Sequence, residues 1–123
     1  MLFRSVYVGS AAGTAVISTA TNKVQTNISQ VLSVSIAINS AGTTGYMIDN
    51  SSNLWVLSLP QNTVVTHFAI TGRPLSAVAL TPDNTQAWVT STTGNLSIVS
   101  TAANAITSTV AVGGPAAGIA FTQ

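Results

Sequence analysis

The sequence predicts an all-β chain built from three copies of one unit, and three observations predict it. Apolar residues come in short runs alternating with small or polar ones, as in Val64-Val65-Thr66-His67-Phe68-Ala69-Ile70. Gly, Pro, Asn, Asp and Ser punctuate these runs at roughly ten-residue intervals, the strand-and-turn rhythm of all-β proteins. The pattern then recurs about every 41 residues, one third of the 123-residue chain. Val, Ile and Thr dominate the runs, which suits a pleated surface. No stretch holds a 3.6-residue apolar period between helix caps.

The unit has four parts. The first is an aromatic strand: Val6-Tyr7-Val8-Gly9-Ser10 aligns with Gly45-Tyr46-Met47-Ile48-Asp49 and Ala87-Trp88-Val89-Thr90-Ser91, with the aromatic spaced by 39 and 42 residues. The second is a strand and turn closed by Asn: Val16 to Asn22, Val56 to Asn62 and Ile98 to Asn104, with the Asn spaced by 40 and 42. A third strand follows, with a β-branched residue two positions on (Val24, Val64, Ile106) and a larger apolar residue four later (Ile28, Phe68, Val110). Gly72-Arg73-Pro74 and Gly113-Gly114-Pro115 then lead to a fourth strand, in which Ile36-Ala37-Ile38-Asn39, Val78-Ala79-Leu80-Thr81 and Ile119-Ala120-Phe121-Thr122 correspond. Four short strands in roughly 40–50 residues make the blade of a β-propeller. The whole chain, 1–123, thus reads as one three-bladed unit with repeats of approximately 1–39, 40–81 and 82–123, offset from the blades by one strand.

Three segments carry a family resemblance: Val6-Tyr7-Val8, the run from Ile17 to Val24, and Val78-Ala79-Leu80-Thr81-Pro82-Asp83-Asn84. Together they resemble the YVTN-type propeller repeat over the length of the chain. Only the middle repeat keeps the Pro-Asp turn, at Pro82-Asp83, while the first has Ser40-Ala41-Gly42. The resemblance implies blades running from an inner strand at a channel to an outer strand at the rim. The inner strands would be Val34 to Ile38, Ala77 to Thr81 and Gly118 to Thr122.

Propellers have typically four to eight blades, so three would leave two apolar faces and open strand edges. Tyr7 falls in the second strand of its blade, and Gly118 to Thr122 is an inner strand with no blade after it. The C-terminal strand of one copy is therefore expected to complete the N-terminal blade of another, a head-to-tail contact that closes a ring. Two copies give six blades and three give nine; the homodimer is favoured because six lies in the usual range. A fragment of a longer propeller is the alternative.

Composition bounds the function. Charged residues are 4% of the chain and the net charge is +1, against roughly a quarter charged in ordinary domains. That is no electrostatic footprint for nucleic acid. No window approaches the roughly 18 apolar residues of a membrane span. Without cysteine there are no disulfides, thiolate metal sites or thiol nucleophiles. Met1 to Ser5 shows no signal-peptide pattern, and the polar, uncharged surface suits an extracellular or surface setting.

The reactive inventory is one His (His67), two Asp (Asp49, Asp83) and no Glu. His67 reads as a solvent-facing rim residue, matched by Asn27 and Thr109 in the other repeats. Asp83 reads as a turn former behind Pro82, and no catalytic residue, metal site or cofactor is expected. Asp49, Asn50 and Arg73 lie in loops that open on one face near the channel mouth. They are the candidate ligand site, with Arg73 gripping an anion or carbonyl; the opposing reading is a surface pair or solvated loop residues. Trp55 stands alone at its position and is expected to be exposed. The chain accordingly reads as a non-enzymatic binding scaffold for an unidentified small molecule or protein. The alternative is a lactonase-like hydrolase or lyase with a metal or polar ligand at the channel mouth.

Overall fold

The computed structural model describes residues 4–122; Met1, Leu2 and Phe3, where no leader was read, and Gln123 lie outside the described residues. Among the described residues every element is a strand or a turn. The first sheet holds β1 (Ser5–Ser10), β2 (Gly13–Ser18) and β3 (Lys23–Ile28), in that order. The second holds β4 (Ser33–Ile38), β5 (Thr44–Asp49), β6 (Asn53–Ser58) and β7 (Thr63–Ala69). The third holds β8 (Leu75–Leu80), β9 (Gln86–Ser91), β10 (Asn95–Ser100) and β11 (Ala105–Ala111). All pairings are antiparallel between neighbours in sequence, so each sheet is a meander.

Among the described residues the first sheet has three strands where the repeat has four. The expected inner strands appear as β4 and β8, which pack side by side. Gly118 to Thr122 forms no strand within one copy of the chain. A strand exists through its ladder, and the partner of this one would be the second strand of a following blade, which the described residues do not supply.

The repeat governs backbone detail as well as pattern. Asn22, Asn62 and Asn104 all have positive φ, of 57°, 61° and 51°. The left-handed region strains most side chains, but Asn tolerates it and so closes these turns. The amides of Asn22 and Asn104 donate to Ser18 O and Ser100 O, both at 2.8 Å. Bulges recur too, between Val16 and Ile17, Val56 and Leu57, and Ile98 and Val99.

Two apolar layers join the sheets. Between the first and second lie Val16, Ile28, Val31, Met47, Leu57 and Leu59. The layer between the second and third is built on Tyr46, Ile48, Leu54 and Val56 from one side and Val78, Ala87, Val89 and Val99 from the other. Buried Thr14 ties the first sheet to the next, its Oγ1 lying 2.7 Å from both Val31 O and Ser33 Oγ. Gly9 permits the close approach of β1 to β4, since a Cβ there would run into Ser33.

Candidate binding face

The antiparallel meanders send alternate loops to opposite ends of the sheets. The β5–β6, β7–β8 and β9–β10 loops share one end, so Asp49, Asn50 and Arg73 lie on the same face. The loops are also in contact. Ile70 N donates to Ser52 O at 2.8 Å, and Thr92 N donates to Pro74 O at 2.9 Å. Gly72 has φ +96° and lies so close to Ser91 and Thr93 that a Cβ would collide with their side chains. The Arg73 loop is thereby fixed between the loops of the second and third sheets.

Within this face the three candidates have different environments. Asp49 is buried, and its carboxylate faces its own loop. Oδ1 accepts from Ser51 N and Asn53 N, each at 2.9 Å. Oδ2 accepts from Asn53 Nδ2 at 3.2 Å and from the indole Nε1 of Trp55 at 2.8 Å. Burial alone would raise the carboxyl's pKa, but the Trp55, Asn53 and Ser51 donors outweigh it and hold it below its ordinary value. Asn50 and Arg73 are exposed, so they are the two of the three whose side chains face solvent.

Trp55 was expected at the surface, but it is half-buried. One edge donates to Asp49, and its face stacks on exposed His67 with centroids 4.3 Å apart and planes 22° apart. The pair is a directly opposed cross-strand couple. Asp83 organises its turn, its Oδ1 accepting from Thr81 Oγ1 and Thr85 Oγ1 at 2.7 Å and from Thr85 N at 3.0 Å. Those bonds hold its pKa below the ordinary value. Among the described residues, no three His, Cys, Asp or Glu side chains converge as metal ligands.

Residue-type reasoning missed a concave region at the other end of the sheets. A cavity of about 540 Å³ lies between the first and second sheets, lined by Arg4, Tyr7, Ile38, Asn39, Leu59 and Pro60 among others. The Tyr7 hydroxyl donates to Asn62 Oδ1 at 2.7 Å close by. Its signal was the register of the repeat, which leaves an inner-strand position open beside Tyr7.

Solved structures superpose closely on this arrangement. The WD40 repeats of RRP9 match with a TM-score of 0.84 at 15% identity, covering 93% of this chain and 37% of that one. U3-55K matches with a TM-score of 0.81 at 14% identity, covering 93% of this chain and 38% of that one. Hydrazine synthase from Kuenenia stuttgartiensis matches with a TM-score of 0.79 at 14% identity, covering 90% and 33%. The fold is that of β-propeller blades. The chain spans between a third and two fifths of the length of these structures. No family model and no curated protein sequence matches it.

Proposed function

We propose that this chain is a non-enzymatic propeller scaffold of the YVTN type that joins copies of itself into a closed ring and presents loops to a ligand. The observation that carries this is the apolar surface left on the outer faces of the first and third sheets. On the first, Val6, Val8 and Val24 are 46%, 44% and 61% exposed. On the third, Val110 and Val112 are exposed as well. Positions equivalent to Val8 lie in the buried layers of the other sheets, at Met47 and Val89. Docking the third sheet of one copy on the first sheet of the next would bury these faces as the inner sheets bury theirs. Two copies make six blades, within the usual range, and three make nine.

The scaffold reading is preferred to an enzymatic one because the acid–base groups are few and dispersed. The Asp49 acceptors hold a loop, which also weakens a ring of Asp49 ligands around a metal. Arg73 and Asn50 are the groups offered for binding. Their donors and acceptors suit a carbonyl-bearing or anionic partner.

A second reading has its own support. The chain covers only part of each structure it matches, as a segment of a longer propeller would. Light scattering coupled to size exclusion, over a range of concentrations, separates the readings. A particle of twice the 12.4 kDa chain mass supports the six-bladed ring and one of three times the nine-bladed ring. A folded monomer throughout overturns self-closure and leaves the segment reading.

A further inference from the structure

The inner strand that would complete the first sheet has a register that can be read from the other two. We propose that residues 116–122 of a second copy pair antiparallel with β1 in one register: Ala120 opposite Tyr7, Ile119 opposite Val8, Gly118 opposite Gly9 and Ala116 opposite Ser10, with Ala117 bulged out. This rests on the ring reading, in which the C-terminal strand of one copy completes the first blade of the next, and adds to it the alignment.

The first support is the repetition of the register. In the second sheet Ala37 faces Tyr46, Ile36 faces Met47, Ser35 faces Ile48 and Ser33 faces Asp49, with Val34 passed over. In the third Ala79 faces Trp88, Val78 faces Val89, Ala77 faces Thr90 and Leu75 faces Ser91, with Ser76 passed over. Tyr7 shares its repeat position with Tyr46 and Trp88, and Ala120 shares its own with Ala37 and Ala79. Transfer of the register then leaves no freedom. A slip of one residue would turn Ile119 to the wrong face of the sheet.

The second support is the placement of the donor segment. It carries no ladder, yet it is held against the third sheet. Ala116 N donates to Ser91 O at 3.2 Å, and the Phe121 ring meets Trp88 edge-on with centroids 5.3 Å apart. Leu80, at the repeat position of Phe121, packs on the layer containing Tyr46, at the repeat position of Trp88. The segment thus follows over the third sheet the path that β8 follows over the second, with its ladder edge open to a further strand. Such prior placement lowers the ordering cost of pairing.

The third support is the receiving site. The edge of β1 away from β2 has no ladder partner among the described residues. Concavities of about 320 Å³, beside Val8, Gly9 and Ser33 to Ile36, and about 540 Å³, beside Arg4, Ser5 and Ile38, lie along it. An added strand gains affinity from main-chain bonds and specificity from alternate side chains. A second copy is the occupant because exposed Val6 and Val8 flank this edge, and the third sheet that brings the segment would cover them.

The sequence has no cysteine, so paired cysteines report the register directly. Oxidation of a Val8→Cys, Ile119→Cys chain is expected to link copies, seen as a dimer on a non-reducing gel. A Val8→Cys, Ala120→Cys chain, one residue out and on the opposite face, is expected to link about tenfold more slowly. Equal or faster linking of the second pair, in a chain that still dimerises by light scattering, overturns the register and leaves the ring. A monomer at every concentration overturns both. Hydrogen exchange on the unsubstituted chain guards against cysteine-induced misfolding. The amides of residues 118–121 are expected to gain protection as dimer forms, and a dimer without that gain overturns the proposal.

Discussion

The first and second sheets repeat one strand pattern, yet Met47 in the second is 0% exposed and Val8, its equivalent in the first, is 44% exposed. Among the described residues, the second sheet is packed on both faces and has four strands, whereas the first is packed on one face and has three. The apolar character is written into both sheets alike, whereas burial depends on what lies next to each. The residue pattern of a blade therefore anticipates neighbours on both sides. In the first sheet the interior-type face leaves Val6 and Val8 exposed, and the proposed contact rests on that face.

A matched pair of truncations separates the two faces most strongly. Met47→Ala is expected to cost about 2–5 kcal/mol, as for a fully buried side chain. Val8→Ala in dilute solution is expected to cost no more than about 0.5 kcal/mol, as at an exposed position. Denaturant unfolding at low and high protein concentration checks both. A growing Val8→Ala penalty at high concentration would show that the outer face is covered there; equal penalties for the two variants in dilute solution would dissolve the distinction.

The next largest effect falls on the β5–β6 loop, which the second sheet builds around a buried carboxylate. Asp49→Asn replaces an acceptor of four hydrogen bonds with an amide that must turn a donor toward some of those donors. It is expected to cost about 1–3 kcal/mol. Because the folded-state pKa of Asp49 lies below its unfolded value of about 3.9, its contribution is full above the unfolded pKa. It is lost as pH falls through the folded pKa. Urea melts from neutral to acidic pH should show the wild type losing part of its advantage over Asp49→Asn in that acidic window; parallel curves would contradict the sign.

Tyr7→Phe tests the joint between the two sheets. Losing the hydroxyl that donates to Asn62 is expected to cost about 0.5–1.5 kcal/mol, read as a shift in the urea midpoint. His67→Ala, on the exposed outer strand of the second sheet, is the smallest. Removing the stack on Trp55 is expected to cost about 0.2–1 kcal/mol, with a change in Trp fluorescence as an independent signal.

The same comparison explains what was legible in the sequence. The strands and the Asn-closed turns could be read because alternation and left-handed turns act over a few residues. Tyr7, Tyr46 and Trp88 could be aligned for the same reason. Gly118 to Thr122 carries an inner-strand pattern but forms no strand, since a ladder needs a partner as well as a pattern. In the candidate site, the shared face of Asp49, Asn50 and Arg73 followed from topology. The inward turn of the Asp49 carboxylate did not, because it depends on Trp55 reaching across from the next strand. The cavity beside Tyr7 was illegible as chemistry, being a gap between sheets and no motif.

Loops alternate between the two ends of the sheets. Copies added head to tail would all point the same way, so a closed ring would have two unlike rims. One would repeat the Arg73 and Asn50 loops once per copy; the other would repeat the turns around Asn39 and Asn62. A partner bearing several matching groups on one surface would engage the first rim through all of its copies together. Once one loop held it, the rest would act at an effective concentration in the millimolar range, and weak single contacts would add to durable attachment on that side alone.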